Sequence, residues 1–516
     1  MALHEILDGA AAAHPDAPAL RFEDAARTFA ELRQRVANLA AALAELFRPG
    51  ERIAILAENC PAYVECLYGV PAARGALVLL NYRLHPDEWV AQLRSTGAAM
   101  LIGERAFLDE LGARLRALPE LRFVVPIDAS EAGELPYEQL LAGSTTRAAD
   151  PAGASTPVAR NAAWIIFTSG TTGVPKGAVL THESLTAALD VMQDRRPVRD
   201  DEVYLFPFPL CHVSAYNVLL LHRAVRPVVL ARRFTTVGVA GLIEQHRVTA
   251  VSLAPTMLAM LLDDPVVADH DLSSLRSIGY GASAIPVPVL RRAAERFGCE
   301  LSQGYGMTEL SGNAVFLDAA DHRRGLAGDG ALLASAGRPR PPVEVRIDDD
   351  TRGAGPRRDA RNDTVGEILV RAPQVMRGYW HDDDATAAAL EDGWLRTGDV
   401  GRLDADGYLY VVDRKKDVII TGGENVSSRE VEQVLHEFPG VRDVAVIGLP
   451  DEQWGEVVTA VVVEESGITI DRAALSAFAG SRLAGFKKPR RVEIVDALPV
   501  NAAGKVLKAR LRAELA

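Results

Sequence analysis

Between Arg52 and Ile278 short apolar runs alternate with segments whose apolar residues recur at helical spacing, and few folds accept that rhythm. Arg52-Ile-Ala-Ile-Leu56, Ala76–Leu80, Ala99–Ile102, Trp164–Phe167, Ala250–Leu253 and Leu275–Ile278 read as strands. Leu39, Leu43 and Leu46 recur at helical spacing ahead of the stop signal Pro49-Gly50, and Tyr63–Ala73 and Pro86–Arg94 read as helices. Apolar strands without polar alternation, separated by helices, predict parallel sheets covered on both faces, hence an α/β fold. The last hundred residues differ: Val441–Gly448 and Val457–Val463 are β-branched strand candidates with helices between them, a small α+β pattern. Residues 143–161, rich in Ser, Thr, Ala, Pro and Gly, and 348–364, mostly Asp, Arg and Gly, read as solvated linkers. The dense polar segment Asp413-Arg-Lys-Lys-Asp417 separates the two regions.

At 516 residues the chain exceeds what one core serves, so at least two folding units are expected. Lys and Arg total 56 against 69 Asp and Glu, a net charge of −13, which argues against nucleic acid as the main partner. Cys60, Cys66, Cys211 and Cys299 form no CxxC pair and no His–Cys cluster with zinc spacing, so neither a disulfide framework nor a structural metal is expected. Met1-Ala-Leu-His-Glu5 lacks the basic start of a secretory signal, and Glu514-Leu515-Ala516 is no targeting or prenylation signal. The apolar stretches fall far short of the roughly 20 residues a membrane span needs. The expectation is a chain without a transmembrane segment in a reduced cytoplasm. Its oligomeric state is open, a homo-oligomer included.

Thr168-Ser169-Gly170-Thr171-Thr172-Gly173-Val-Pro175-Lys176-Gly177 directly follows the strand ending at Phe167. Its glycines let the backbone turn tightly and aim N–H groups at one point, where hydroxyls and Lys176 converge; such a loop suits a polyphosphate. It is not a Walker A loop, since Lys176 is followed by Gly177 rather than Ser or Thr. No G-x-G-x-x-G opens the first βα turn, which weakens a dehydrogenase reading.

With this loop, four further motifs stand in order. They are Tyr305-Gly306-Met307-Thr308-Glu309; Thr397-Gly398-Asp399; Asp413-Arg414-Lys-Lys416-Asp417 with Gly422-Gly423-Glu424-Asn425; and Pro499 to Gly504-Lys505. Together they resemble the adenylate-forming superfamily, which includes acyl-CoA synthetases, peptide-synthetase adenylation domains and luciferases, over nearly the whole chain. The resemblance implies a large N-terminal domain of layered sheets and helices, residues 1–415, and a small mobile α+β C-terminal domain, residues 416–516, with the hinge at Lys416. It implies ATP, Mg²⁺ and CoA as co-substrates and ion. A carboxylic acid would be joined to the α-phosphate of ATP with loss of pyrophosphate, then passed to a thiol; electrostatic preorganisation suits both steps.

By the same resemblance, Thr168 to Lys176 would hold the β and γ phosphates, and Glu309 would bind Mg²⁺. Thr308 would contact the α-phosphate. Tyr305 would lie against adenine, with Gly281, Ala282, Ser283, Gln303, Gly304, Gly306 and Met307 around the nucleotide. Asp399 and Arg414 would take the ribose hydroxyls, and Lys505 would reach the carboxylate and α-phosphate. One Lys505 cannot occupy the site while a pantetheine arm enters it, and the family's answer is rotation of the C-terminal domain. Gly422, Gly423 and Glu424 would then border the pantetheine, Trp454 and Phe486 would pack near CoA, and Lys487, Lys488 and Arg490 are candidates for its phosphates.

Pro209-Leu-Cys-His212 resembles the segment whose His gates the acyl pocket. His212, Val213, Tyr216, Asn217, Gly304, Met307 and Gly312 are the wall candidates, mostly apolar or small. No Asp stands in 209–217 to pair with an α-amine, which counts against an amino acid, and Gly304 stands where malonate-type members carry Arg. The substrate expected first is a medium- to long-chain fatty acid; the alternatives are an aryl or cinnamate-like acid, or an acyl-AMP ligase serving a carrier protein. A non-catalytic nucleotide binder would be expected to lack Glu309 or Lys505, and both are present.

Overall fold

A computed structural model of the chain describes residues 1–128, 130–131, 134–142, 161–168, 175–281, 285–348, 364–414, 417–421, 424–451, 454–500 and 505–516, with only the backbone at 414, 424 and 425. Among the described residues the strands form four sheets of eight, seven, five and five strands.

The seven-stranded sheet runs, in spatial order, through Gly378–Tyr379, Lys176–Thr181, Ala162–Thr168, Ala76–Leu79, Arg52–Leu56, Met100–Gly103 and Phe123–Pro126. From Ala162–Thr168 onward the pairing is parallel; the first two strands are antiparallel additions. The eight-stranded sheet repeats the plan, with Ser277–Gly281, Ala250–Leu253, Tyr204–Phe206 and Val228–Leu230 parallel at its centre and antiparallel strands at both edges.

The physical reason lies in the strands' two-residue alternation. Ile53, Ile55, Leu77 and Leu79 point into the main core, while Ala54, Leu56, Ala76 and Val78 point into a second cluster on the opposite face. Tyr204 and Phe206 face the same main core, and Leu205 faces a third cluster. Each strand is thus buried on both sides, which removes the polar alternation of a solvated sheet. The main core joins the inner faces of both sheets through the helices Phe29–Leu46, Pro61–Ala72 and Tyr216–Arg223. Strand bounds match the sequence reading at Arg52–Leu56 and Ala250–Leu253; the reading at Leu275–Ile278 falls early, the strand being Ser277–Gly281.

A third, antiparallel sheet carries Glu344–Asp348, Gly366–Arg371, Leu390–Glu391, Trp394–Leu403 and Leu409–Arg414. The fourth belongs to the C-terminal part. There Val441–Asp451 and Gly455–Glu464 pair directly as an antiparallel hairpin, with Asp451 opposite Gly455. The expectation of helices between these strands is therefore corrected, because that register leaves no length for one. The helices flank instead: Ser428–His436 and Arg472–Gly480 cover one face through Val431, Leu435 and Leu475, and Lys508–Leu515 covers the other through Leu511. The architecture is a large α/β N-terminal region followed by a small α+β one.

Candidate functional site

Both large sheets aim the carboxyl ends of their parallel strands at one place, where open α/β sheets characteristically bind ligands. Thr168, Leu253, Gly281 and Met307, each ending or nearly ending its strand, line one cavity of about 1580 Å³. Lys505 lines it from the C-terminal part. Around it Val500 bridges to Val506, and the Leu507 N–H donates to the Pro499 carbonyl at 2.8 Å, so the lysine stands beside a chain reversal.

Thr168 and Lys176 are register partners in antiparallel strands, so the phosphate-loop candidate closes across a hairpin. Ser169, Gly170, Thr171, Thr172 and Gly173 lie outside the described residues, as do Ala282, Ser283, Lys416, Gly422 and Gly423. Of Arg414 and Glu424 only the backbone is described, with Arg414 opposite Asp399 in the third sheet.

Glu309 sits in the turn Thr308–Leu310 and is 6% exposed. The Thr168 hydroxyl at 3.2 Å and the Tyr379 hydroxyl at 2.9 Å both donate to its Oε1. Burial and this carboxylate push the Tyr379 phenol up, so it remains a donor. The Lys176 ammonium lies 5.5 Å from the centre of the Tyr379 ring. Sequence reasoning missed Tyr379: Met376-Arg-Gly-Tyr-Trp380 carries no pattern of chemistry, and only the pairing of Gly378–Tyr379 beside Lys176–Thr181 brings it in. Among the described residues no group of three or more His, Cys, Asp or Glu gathers as a metal cage, and no donor bonds Glu309 Oε2. One buried carboxylate with a spare oxygen fits Mg²⁺, which takes few protein ligands and completes its shell with phosphate oxygens and water.

On the nucleotide side the Tyr305 hydroxyl donates to Asp399 Oδ2 at 2.8 Å. Asp399 is 5% exposed, and its N–H donates to the Thr397 hydroxyl oxygen at 3.1 Å. Gly281 and Gly304 are strand neighbours so close that a Cβ on Gly281 would fall 2.5 Å from the Gly304 carbonyl oxygen. Gln303, Gly304, Gly306, Met307 and Thr308 line the cavity; the Tyr305 and Asp399 side chains bond to each other beside it.

The acyl candidates His212, Val213, Tyr216, Asn217, Gly304 and Met307 also line it. Gly312 does not; it supports the Tyr216 ring, whose Cε1 would lie 2.8 Å from a Cβ there. Burial, aided by Arg83, pushes His212 down to about 4, so its ring is neutral, and its enclosed Nε2 has no hydrogen-bond partner among the described residues. Asn313, absent from the sequence reading, donates from Nδ2 to the Tyr216 hydroxyl at 3.0 Å.

The structure does not bring the CoA candidates whose side chains are described to this cavity. Trp454, Phe486, Lys487, Lys488 and Arg490 are not among its lining; Lys487 pairs with Glu430 at 2.7 Å, and the Arg490 guanidinium lies 4.0 Å from the centre of the Trp454 ring.

Among the described residues no helix is long and apolar enough to cross a membrane. Residues 7–380 match the family of AMP-binding enzymes, and residues 430–505 match the AMP-binding enzyme C-terminal domain. The chain is 39% identical over 510 residues to a feruloyl-CoA synthase of an Amycolatopsis species, covering 96% of each protein. It superposes on an amide bond synthetase from Marinactinospora thermotolerans with a TM-score of 0.88 at 32% identity, covering 100% of both chains. An o-succinylbenzoate coenzyme A synthetase from Bacillus subtilis, solved with ATP and magnesium ion, superposes with a TM-score of 0.82 at 30% identity over 98% of each chain. A strand-end cavity that draws a lysine from a small C-terminal region, together with matches over both regions, leads to one conclusion: the chain belongs to the AMP-binding enzyme family of the adenylate-forming superfamily, as an AMP-forming acid–thiol ligase that uses ATP, Mg²⁺ and CoA.

Proposed function

We propose that this ligase activates a compact aromatic acid of the hydroxycinnamate kind to its acyl adenylate and then passes the acyl group to CoA. The observation that carries the choice of acid is the hydrogen-bonded pair of Tyr216 and Asn313 on the wall beside Gly304. With Ser252 and His212, whose Nε2 has no hydrogen-bond partner among the described residues, it gives the pocket a polar stretch of wall that an alkyl chain could not match. A ring bearing a hydroxyl or methoxyl offers it partners. The 39% identity to a feruloyl-CoA synthase supports the same choice. The fatty-acid reading rests on the apolar remainder of the wall, Met192, Val213, Met307 and Phe316.

The geometry supports these roles. Lys176 and the loop that starts at Thr168 receive the β and γ phosphates, and Glu309 would hold Mg²⁺ through the oxygen that Thr168 and Tyr379 leave unbonded. When bound, that ion supplies charge neutralisation on the phosphates. Asp399, held by Tyr305, accepts the ribose hydroxyls. Lys505 sets its ammonium between the acid's carboxylate and the α-phosphate, lowering their repulsion as the oxygen attacks phosphorus and pyrophosphate leaves. Neutral His212 stands at the acyl entrance, where a charged ring would compete for the carboxylate.

The third sheet ends at Arg414 and the C-terminal sheet begins at Ile419, which supports a boundary at 415/416 and a hinge at Lys416. Rotation there would withdraw Lys505 and bring Gly422 and Gly423 to the site for the thiol step. Dependence on ATP and CoA, with four cysteines free as thiols, supports a cytoplasmic location.

ATP–pyrophosphate exchange against a panel of hydroxycinnamates, benzoates and fatty acids of increasing length, with and without CoA, tests the proposal. Exchange strongest with hydroxycinnamates and a thioester formed only with CoA is expected. Preference for decanoate or longer acids returns the reading to a fatty acid, and exchange without thioester favours a carrier-protein ligase.

A further inference from the structure

Outside the motifs, one side chain touches both charged groups of the phosphate site. Tyr379 belongs to the two-residue edge strand Gly378–Tyr379, with Tyr379 opposite Ala178. Its backbone is pinned on both sides: its N–H donates to Thr386 Oγ1 at 2.8 Å, and the next N–H, of Trp380, donates to the Gly177 carbonyl at 2.7 Å. The Met376 N–H donates to the Glu309 carbonyl at 2.8 Å, so the same segment also fixes the turn that carries the carboxylate. From this frame the tyrosine presents its hydroxyl to Glu309 Oε1 at 2.9 Å and its ring to the Lys176 ammonium at 5.5 Å.

A lysine and a glutamate lining one cavity attract each other, yet among the described residues these two form no ion pair. Direct pairing would spend the ammonium on the carboxylate instead of a phosphate and would cover the oxygens that a cation needs. Tyr379 satisfies each group separately. The hydroxyl takes one carboxylate oxygen, shared with Thr168, and the ring face holds the ammonium by a cation–π contact. We propose that Tyr379 is a positioning residue that keeps Lys176 and Glu309 from pairing and holds the carboxylate by Oε1, leaving Oε2 for the cation that accompanies ATP. This rests on the assignment of Glu309 to that cation.

The test is calorimetric titration of the full chain with ATP in excess magnesium and with ATP in EDTA, for the wild type and for Tyr379→Phe, Tyr379→Leu and Glu309→Gln. The readout is the ratio of the two affinities, which a general loss of structure would not move selectively. Wild type is expected to favour the magnesium complex. Tyr379→Phe keeps the ring and loses the bond to a charged acceptor, so the ratio should fall about tenfold. Tyr379→Leu also removes the ring and should weaken metal-free ATP binding as Lys176 turns to Glu309. Should Tyr379→Leu fail to fold, Tyr379→Phe, one oxygen smaller, decides alone. A wild-type ratio in Tyr379→Phe overturns the proposal while Glu309→Gln still lowers it; an unchanged ratio in Glu309→Gln overturns the cation assignment itself.

Discussion

Gly304→Ala probes the acyl wall with a single methyl group. A Cβ at this position would stand 2.3 Å from Asn313 Nδ2 and 2.6 Å from its Cγ. Carbon contacts settle at about 3.5–4 Å, so the amide must retreat by roughly 1 Å. That retreat breaks its 3.0 Å bond to the Tyr216 hydroxyl and pushes the amide within the pocket wall. An acid that needs the original wall must press the displaced amide back against the new methyl, an overpacking cost of about 1–3 kcal/mol, within which the lost hydrogen bond is worth about 1 kcal/mol. The kcat/KM for the acid should therefore fall by a factor between about 5 and 150, with the KM for ATP in place. The assay is pyrophosphate exchange with each substrate varied in turn, repeated in Asn313→Ala and in the double variant. If the clash is the cause, Gly304→Ala costs almost nothing once Asn313 is truncated, and the double variant matches Asn313→Ala. Equal losses in both backgrounds would refute the reasoning. Gly306→Ala is the contrast: there the methyl would meet the Gly312 carbonyl oxygen at 2.1 Å, backbone that cannot yield, so the loss should appear as instability rather than altered acid preference.

Three further outcomes are expected. Lys505→Ala should abolish acyl-adenylate formation yet spare thioester formation from supplied acyl-AMP, measured by exchange and by thioester release respectively; loss of both halves contradicts the domain-rotation scheme. Asp399→Asn should raise the KM for ATP about tenfold or more while sparing the KM for the acid, because Tyr305 keeps its partner but the ribose loses a charged acceptor. Burial pushes His182 and His222 down to about 4, below the ordinary 6.5. The Leu3 N–H donates to His182 Nδ1 at 3.1 Å, an arrangement that needs a neutral ring, and His222 lies between the Tyr68 hydroxyl at 2.9 Å and the Ala19 carbonyl at 3.0 Å, where burial disfavours a charge. The unfolded chain takes these protons near pH 6.5 and the folded chain only near 4, so stability is whole above 6.5 and falls as pH drops toward 4. Thermal unfolding from pH 7 to 4.5 should show Tm declining across this window, with a shallower decline in His182→Gln.

The central strands were legible because burial on both faces leaves an unbroken apolar run, as at Arg52–Leu56 and Ala250–Leu253. The third sheet escaped notice. Its long strand Trp394–Leu403 mixes Arg396, Thr397, Gly398 and Asp399 with apolar residues, a composition that also suits a loop. In sequence the Val441–Asp451 and Gly455–Glu464 hairpin reads as two strands with helices between them, because pairing partners are set by register, which composition does not encode.

For the site the division follows the same physics. Charge, hydroxyl and glycine spacing mark Thr168 and Lys176 locally, whereas Glu309, Asp399 and Lys505 are picked out by the resemblance that the motifs carry together, in order. What converges on them is not local. Tyr379 reaches Glu309 across 70 residues of sequence through strands laid edge to edge, and Asn313 on its strand reaches Tyr216 at the start of a helix across 97. The amino-acid order by itself determined which charged and hydroxyl groups are available and that parallel strands covered on both faces would form the frame. The packing of two sheets against shared helices, with a distant lysine brought to their strand ends, decided which of those groups face one another and which neighbours hold them apart, because a hydrogen bond or a steric contact depends on distance in space and not along the chain.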